Sequence, residues 1–421
     1  MQKKEVLKNG VRLLTIPMKG TQTFTFLVMV ATGSRHEIQE NSGISHFLEH
    51  MFFKGTKKRP TTLAISSALD KIGGEFNAFT SKEYTGYYAK VDGKHALTAI
   101  DVISDMLHNS KFESREIERE KGVILEEENM YKNNPMIYID DVFEECLFGD
   151  TPLGRDTIGT RENIKSFIRQ DFIDYFKSQY RGKDVVICLA GNFKNNDVAI
   201  AKKYASIIRE GDKNIAVDFE NTQSEPCLKI KIKKTDQINL SVGVKAYSYN
   251  HKDYLTLQLL SIILGGPMSS RLFINVRERK GLAYSIHTQA DGYRDIGYLT
   301  TTVGTSLASV NLAVKTIIDE YKKVKKILVG KDELQKAKDY LNGKLVLTLE
   351  SSDSIASWYA KQEVLDYKNN LTPEKFLQMI NKISAQDIQD IARQIFVNKN
   401  LNLAIIGDKI DKDGLEKILK F

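Results

Sequence analysis

Gln170-Asp171-Phe-Ile-Asp174, followed by Val185-Val-Ile-Cys-Leu-Ala-Gly191-Asn192, returns later in the chain as Gln386-Asp387-Ile-Gln-Asp390 followed by Leu401-Asn-Leu-Ala-Ile-Ile-Gly407-Asp408. Both markers are displaced by the same 216 residues. In each copy a polar helical segment leads into an apolar run that ends in a turn, the pattern of a helix feeding a buried strand. A constant offset across a helix and a strand argues for two copies of one fold of about 200 residues each. The length of 421 residues agrees, because single hydrophobic cores stop growing well short of it. Each copy mixes strand pairs with helices in runs, which predicts an α+β class with helices packed on a mostly antiparallel sheet. A polar stretch from about 211 to 226, rich in Lys, Asp, Glu, Asn and Ser, reads as the joint. The expected domains are therefore 1–212 and 226–421.

Outward from the first marker, residues 11–17 after Asn9-Gly10 and residues 23–31 read as strands, being β-branched or aromatic runs bounded by turn residues. Helical spacing covers 61–72, with Thr61 or Thr62 as cap and Gly73-Gly74 as stop. Segments 75–80 and 85–91 alternate as a hairpin, and a helix follows over 95–108. A further helix over 114–131 has Ser114 as its expected N-cap.

Between these elements lies Gly43-Ile-Ser-His-Phe-Leu-Glu-His-Met-Phe-Phe-Lys-Gly55. On a helix, His46 and His50 stand one turn apart and Glu49 falls beside them, while Ile44, Phe47, Leu48 and Met51 gather on the opposite side. Such a helix packs on one face and carries chemistry on the other. Two neutral imidazoles at this spacing can hold one Zn²⁺, which leaves one protein ligand to find. Glu49 would serve as general base toward the attacking water. The order H-x-x-E-H inverts the commoner H-E-x-x-H. Histidine pairs at this spacing also occur as ordinary core or surface residues. On the helix over 114–131, Glu120 and Glu127 are seven residues apart and share a face. Glu126, Glu127 and Glu128 each turn by about 100°, so only one of them can face a given ion, and Glu127 is the one in phase with Glu120. A solvated acidic face is the alternative reading of that helix.

Composition narrows the rest. With 42% hydrophobic and 27% charged residues the chain is globular, and no run approaches the roughly 18 apolar residues of a membrane span. The charged N-terminus is not followed by an apolar signal-peptide core, so a cytoplasmic, bacterial-type location is expected. Cys146, Cys188 and Cys227 have no C-x-x-C spacing and read as packing residues in a reducing compartment. A net charge of +7 without a long basic run gives no support to nucleic-acid binding. Acidic residues gather beside and after Glu127, at Glu126, Glu128, Asp140, Asp141, Glu144, Glu145 and Asp150. Some are expected to line the cavity that Glu127 faces and to favour ligands carrying Lys or Arg side chains. A solvated helix surface explains them equally well.

The chain resembles the M16 family of zinc peptidases, the pitrilysin and insulinase group, and within it the short subfamily of the mitochondrial processing peptidase β subunit and its bacterial relatives. The resemblance rests on His46-Phe-Leu-Glu-His-Met-Phe-Phe-Lys-Gly-Thr56, Gly74-Glu-Phe-Asn-Ala-Phe-Thr80, Glu118-Arg-Glu-Lys-Gly-Val-Ile-Leu-Glu-Glu127, Pro152-Leu-Gly-Arg155, Ser270-Arg-Leu-Phe and Arg277-Glu-Arg-Lys-Gly-Leu-Ala-Tyr284. It implies a processing-peptidase-like metallohydrolase fold, with Zn²⁺ bound by His46, His50 and Glu127, the last of them following His50 after 76 intervening residues. It further implies Glu49 as base, Glu120 as a carboxylate orienting the ligand groups, and Arg277 with Tyr284 reaching the site from a second domain that has no metal. Tyr284 would stabilise an oxyanion and Arg277 would hold a substrate carbonyl. The long glycine-rich loop of the family's inactive subunits is missing, with only Leu264-Gly-Gly-Pro-Met268 near its place. The resemblance also implies a chamber closed by two chains, most simply a homodimer, with a heterodimer as the other arrangement. The expected activity is a zinc endopeptidase acting on unfolded peptides or presequence-like segments. An extended substrate would pair with the edge near residues 76–80, touching Asn77 and Ala78. The competing readings are a non-catalytic structural or assembly homologue and the catalytic half of a heterodimeric processing peptidase.

Overall fold

The computed structural model describes residues 2–365 and 370–421. They form two compact units. The first comprises Met1–Glu128, Arg155–Val217 and Val346–Asn370, and the second Asn129–Gly154, Asp218–Leu345 and Leu371–Phe421. Their common boundary in mid-chain falls inside the expected joint, but two segments are exchanged relative to contiguous halves cut at 212 and 226.

The first unit is built on a six-stranded sheet of β1 (Lys3–Val6), β2 (Arg12–Pro17), β3 (Thr23–Val30), β4 (Glu75–Thr80), β5 (Thr85–Asp92) and β6 (Val185–Gly191), in the order β1-β2-β6-β3-β5-β4. The second unit carries β7 (Cys227–Ile232), β8 (Ile238–Ala246), β9 (Ala283–Gly292), β10 (Gly297–Thr305) and β11 (Leu401–Gly407), in the order β7-β11-β8-β10-β9. In both, one pair is parallel, β2 with β6 and β7 with β11, and the remaining neighbours run antiparallel. The two orders coincide once β1 is set aside. β6 and β11, the strands of the repeat, hold equivalent central places. The fold class is α+β in two tandem copies, as the repeat implies.

Five helices are needed below: α1 (Ile44–Met51), α2 (Thr62–Asp70), α3 (Ala96–Asn109), α4 (Ser114–Asn133) and α5 (Pro135–Phe148). β3 is buried along nearly its whole length because both its faces are covered. Against β3 and β5 lies α3, and against β3 and β6 lies the helix Ser352–Val364 from late in the chain. The Ser352 hydroxyl, itself fully buried, bonds the hydroxyls of Thr23 and Thr25. In the second unit the corresponding cover is α5, early in the chain. Asn134 caps it through the Met136 amide, and Pro135 suits its first turn because that position has no amide partner to lose. Ile139, Val142, Phe143, Leu147 and Phe148 of α5 pack with Tyr298, Ala404 and Ile406. At about 1.5–3 kcal/mol for each fully buried large apolar side chain, these contacts account for the exchange of segments.

Two expectations change in detail. Ser114 is the first helical residue of α4, and the Glu113 carbonyl accepts the first bonds, from the amides of Glu116 and Ile117. The run 209–226 has no helix or strand, but it is tied down. In the first unit Asn214 bonds Asp184 and the Val217 carbonyl accepts from Arg35. In the second, the Phe219 amide donates to Asp295. No helix of the described residues is long and apolar enough to cross a membrane.

Candidate metal centre

α1 begins at Gly43, whose φ of 101° and close approach to the Ile158 carbonyl exclude a side chain. Its first amides, of Gly43 and Ser45, donate to the buried carboxylate of Glu37 at 2.7 and 2.8 Å. Ile44, Phe47, Leu48 and Met51 are wholly buried, and Phe47 packs edge-on against Phe167 and Phe172. The helix is thereby fixed in rotation, with both histidines on the less buried side.

Glu127 of α4 meets them there. Its two oxygens lie 3.7 Å from His46 Nε2 and 3.4 Å from His50 Nε2. One donor atom from each of the three residues lies within 4.8 Å of the others. These separations exceed hydrogen-bond length, yet they approach the roughly 3.3 Å between corners of a tetrahedron whose bonds to zinc are about 2.0–2.1 Å. Two imidazole nitrogens and a carboxylate, aimed at one point and only partly buried, fit a catalytic zinc site with an open position. Among the described residues this is the one such group, and it is in the first unit.

The surrounding charges hold the ligands in place. His50 Nδ1 bonds Glu120 Oε1 at 2.9 Å, which directs Nε2 toward Glu127. The other oxygen of Glu120 is taken by Lys54 Nζ at 2.6 Å. Burial works to raise Glu120, but His50 and Lys54 outweigh it and hold it below the usual carboxylate range. Burial lowers His50, and the Glu120 and Glu127 carboxylates reverse this and raise it to about 9. His46 first and His50 next hold Glu127 well below its ordinary value. A metal ion at this position would compete with protonation of His50. Glu49 is almost buried and is pushed upward by that burial, against the opposing pull of Thr80, His46 and His50. Its Oε2 accepts a 2.5 Å bond from Thr80 Oγ1.

The three consecutive glutamates separate as their phase requires. Glu126 is exposed, Glu127 faces the histidines, and Glu128 is buried against Arg161 at 2.6 Å. Much of the expected acidic wall is committed elsewhere. Glu144 accepts from Tyr293 and Tyr298, Glu145 pairs with Lys229, and burial raises Asp140 to about 6. Asn77 is exposed on β4, an edge strand, and its Oδ1 accepts from the Ala78 amide at 2.9 Å. Arg277 and Tyr284 belong to the second unit. Arg277 sits in a π-helical stretch, Phe273–Glu278, with its guanidinium 4.8 Å from the Phe273 ring and 5.8 Å from that of Tyr284, which is 72% exposed. Lys54 and Thr80 were not singled out from the sequence. Lys54 is four residues after His50, a spacing that could have revealed it, whereas Thr80 reaches Glu49 only through tertiary folding.

A family model described as insulinase (peptidase family M16) matches residues 12–161, and one described as the peptidase M16 inactive domain matches 166–341. The chain belongs to the M16 peptidase family. Its M16 relatives include a Bacillus subtilis protein named uncharacterized zinc protease YmxG, 36% identical over 97% of this chain and 98% of that one. A Rickettsia felis uncharacterized zinc protease is 33% identical over 95% and 96% of the two chains. In fold, this M16 chain is similar to a crystal structure of a protease from Helicobacter pylori, with a TM-score of 0.89 at 22% identity over 97% and 99% of the chains. A Pseudomonas fluorescens structure described as a peptidase M16 inactive domain gives 0.87 at 17% identity over 97% and 98%.

Proposed function

We propose that this chain is a zinc metalloendopeptidase that cleaves unfolded peptides or presequence-like segments. The observation that carries this reading is the convergence of His46 Nε2, His50 Nε2 and the Glu127 carboxylate, with Glu49 on the same helix. A zinc ion held there supplies a Lewis acid and makes water a usable nucleophile near neutral pH. Glu49 takes the proton of the attacking water and delivers it to the departing amine. Glu120 holds His50 in the tautomer that leaves Nε2 free as a ligand. An extended substrate adds to β4, where the Ala78 amide, now bonded to the Asn77 side chain, becomes a strand donor. Arg277 and Tyr284 are assigned to a substrate carbonyl and to the developing oxyanion, a role for which the exposure of Tyr284 is suited. The active species is assigned as a homodimer.

Digestion of a randomised peptide pool by the zinc-loaded protein, read by mass spectrometry, tests the activity and gives the site preference. Discrete cleavage abolished by a chelator and restored by zinc is expected. An intact pool would overturn the reading.

A further inference from the structure

Phe76, Ala78 and Thr80 alternate along β4 and so share one face of the strand. That face is turned to the helix bearing the histidines. The Phe76 ring stacks 6.4 Å from that of Phe53, just beyond α1, and Thr80 Oγ1 donates to Glu49 Oε2 at 2.5 Å. β4 and α1 are thus joined at two points, with the small Ala78 between them. β4 is also the open edge of the first sheet.

Glu49 is 9% exposed, and among the described residues Thr80 is the hydrogen-bond partner its side chain has. A threonine hydroxyl facing an ionised carboxylate must donate, and O–H···O⁻ bonds of this length are the strong, charge-assisted kind. One oxygen is thereby fixed and the other is left available. A glutamate has three side-chain torsions, and among the described residues the hydrogen bond from Thr80 is the polar contact that fixes where the Glu49 carboxylate ends up. Misplacement of a base by about 1 Å can cost about 100-fold in rate.

We propose that Thr80 is the positioning residue of Glu49, and that it ties the alignment of the base to the strand on which substrate pairs. This rests on the peptidase reading above. A peptide added along β4 lies on the strand that carries Thr80, so the base is held from the same strand on which substrate pairs.

The test compares Thr80→Val, which keeps the shape and removes the donor, with Thr80→Ser, which keeps the donor. The Val variant is expected to lose about 10- to 100-fold in kcat with KM little changed, and the Ser variant to recover most of that loss. Zinc content by elemental analysis and affinity for a labelled peptide, measured by anisotropy in a Glu49→Gln background, should be unaltered by Thr80→Val. In that background Thr80→Val should also leave the residual rate unchanged, because a residue acting through Glu49 has nothing left to position. A Val variant with wild-type kcat, a Ser variant as slow as Val, or losses that add in the double variant would overturn the proposal. So would a Val variant that loses zinc in proportion to activity. Failure of the wild-type protein to cleave any peptide would remove the peptidase reading and this inference with it. Wild-type cleavage with an indifferent Thr80→Val variant removes this inference alone.

Discussion

Glu37→Gln should abolish a specific pH dependence of the first unit's stability. Glu37 is 3% exposed beneath the start of α1, and burial raises its carboxyl to about 7, against the opposing pull of the Gly43 and Ser45 amides, the Ser45 hydroxyl and Lys82. In the unfolded chain it titrates near 4.5. Below that pH both states hold the proton and there is no cost. As pH rises to 7 the unfolded state loses its proton first, so stability falls, and above 7 it levels off. The interval corresponds to about 3 kcal/mol. Gln keeps the volume and one acceptor, sets an amide against the second N–H at a pH-independent cost of about 1–3 kcal/mol, and does not titrate. The stability difference between wild type and Gln should therefore change by about 3 kcal/mol between pH 4.5 and 7.5. With a denaturant slope of roughly 2 kcal/mol per molar urea, that is about 1.5 M in relative midpoint. Trp358, the single tryptophan, lies in the helix Ser352–Val364 of the same unit, so its fluorescence reports the right transition. Working in a chelator keeps metal linkage out, and the proton on His50 cancels in the comparison. A difference that does not vary with pH would refute the reasoning. Wild type gaining on Gln as pH rises would show that the amides and Lys82 outweigh burial.

His46→Ala, His50→Ala and Glu127→Ala are each expected to lose zinc together with activity, whereas Glu49→Gln should keep its zinc and lose turnover; elemental analysis beside a peptide assay separates the two classes. Lys54→Met should weaken zinc binding by roughly 10- to 100-fold, because Glu120 loses the cation that holds its second oxygen, and competition with a chromophoric chelator would expose an unchanged affinity. Tyr284→Phe should lower kcat by about 10²- to 10³-fold at constant zinc content, and an unaffected kcat would remove its assignment as oxyanion donor.

What the sequence discloses and what it hides divide along the reach of the interactions. His46, Glu49 and His50 lie within about one helical turn and Glu127 is in phase with Glu120, so periodicity places each set on one face of its own helix, whereas the meeting of the two helices at one site is legible only through the resemblance to M16 peptidases. The 216-residue offset likewise carries the two sheets. Contacts between distant segments leave no such trace. Nothing in the run Glu126 to Asp150 announces that Glu128 will be buried on Arg161 or that Glu144 will sit under two tyrosines. Cys146 and Cys227 read as separate packing residues, yet their sulfurs lie 3.1 Å apart, because α5 is laid across the strand that begins at Cys227. Contiguous halves were the natural expectation for the same reason. The apolar faces of α5 and of Ser352–Val364 show that each must be covered, but not by which sheet.

That exchange of helices sets a timetable for the newborn chain. As the polypeptide leaves the ribosome, β1 to β6 are all present once residue 191 has emerged, yet one face of that sheet waits for Ser352–Val364. α5 emerges early and has no sheet to rest on until β8 and β11 exist, and β11 ends only at Gly407. Neither unit can close before nearly the entire chain has been made, despite the tandem repeat, so the usual order in which an N-terminal domain folds first does not apply. The unit that carries His46, His50 and Glu127 therefore acquires its complete hydrophobic cover only near the end of synthesis. A chain released early would carry the histidines and Glu127 on an uncovered sheet, exposed to aggregation and to the cell's own proteases.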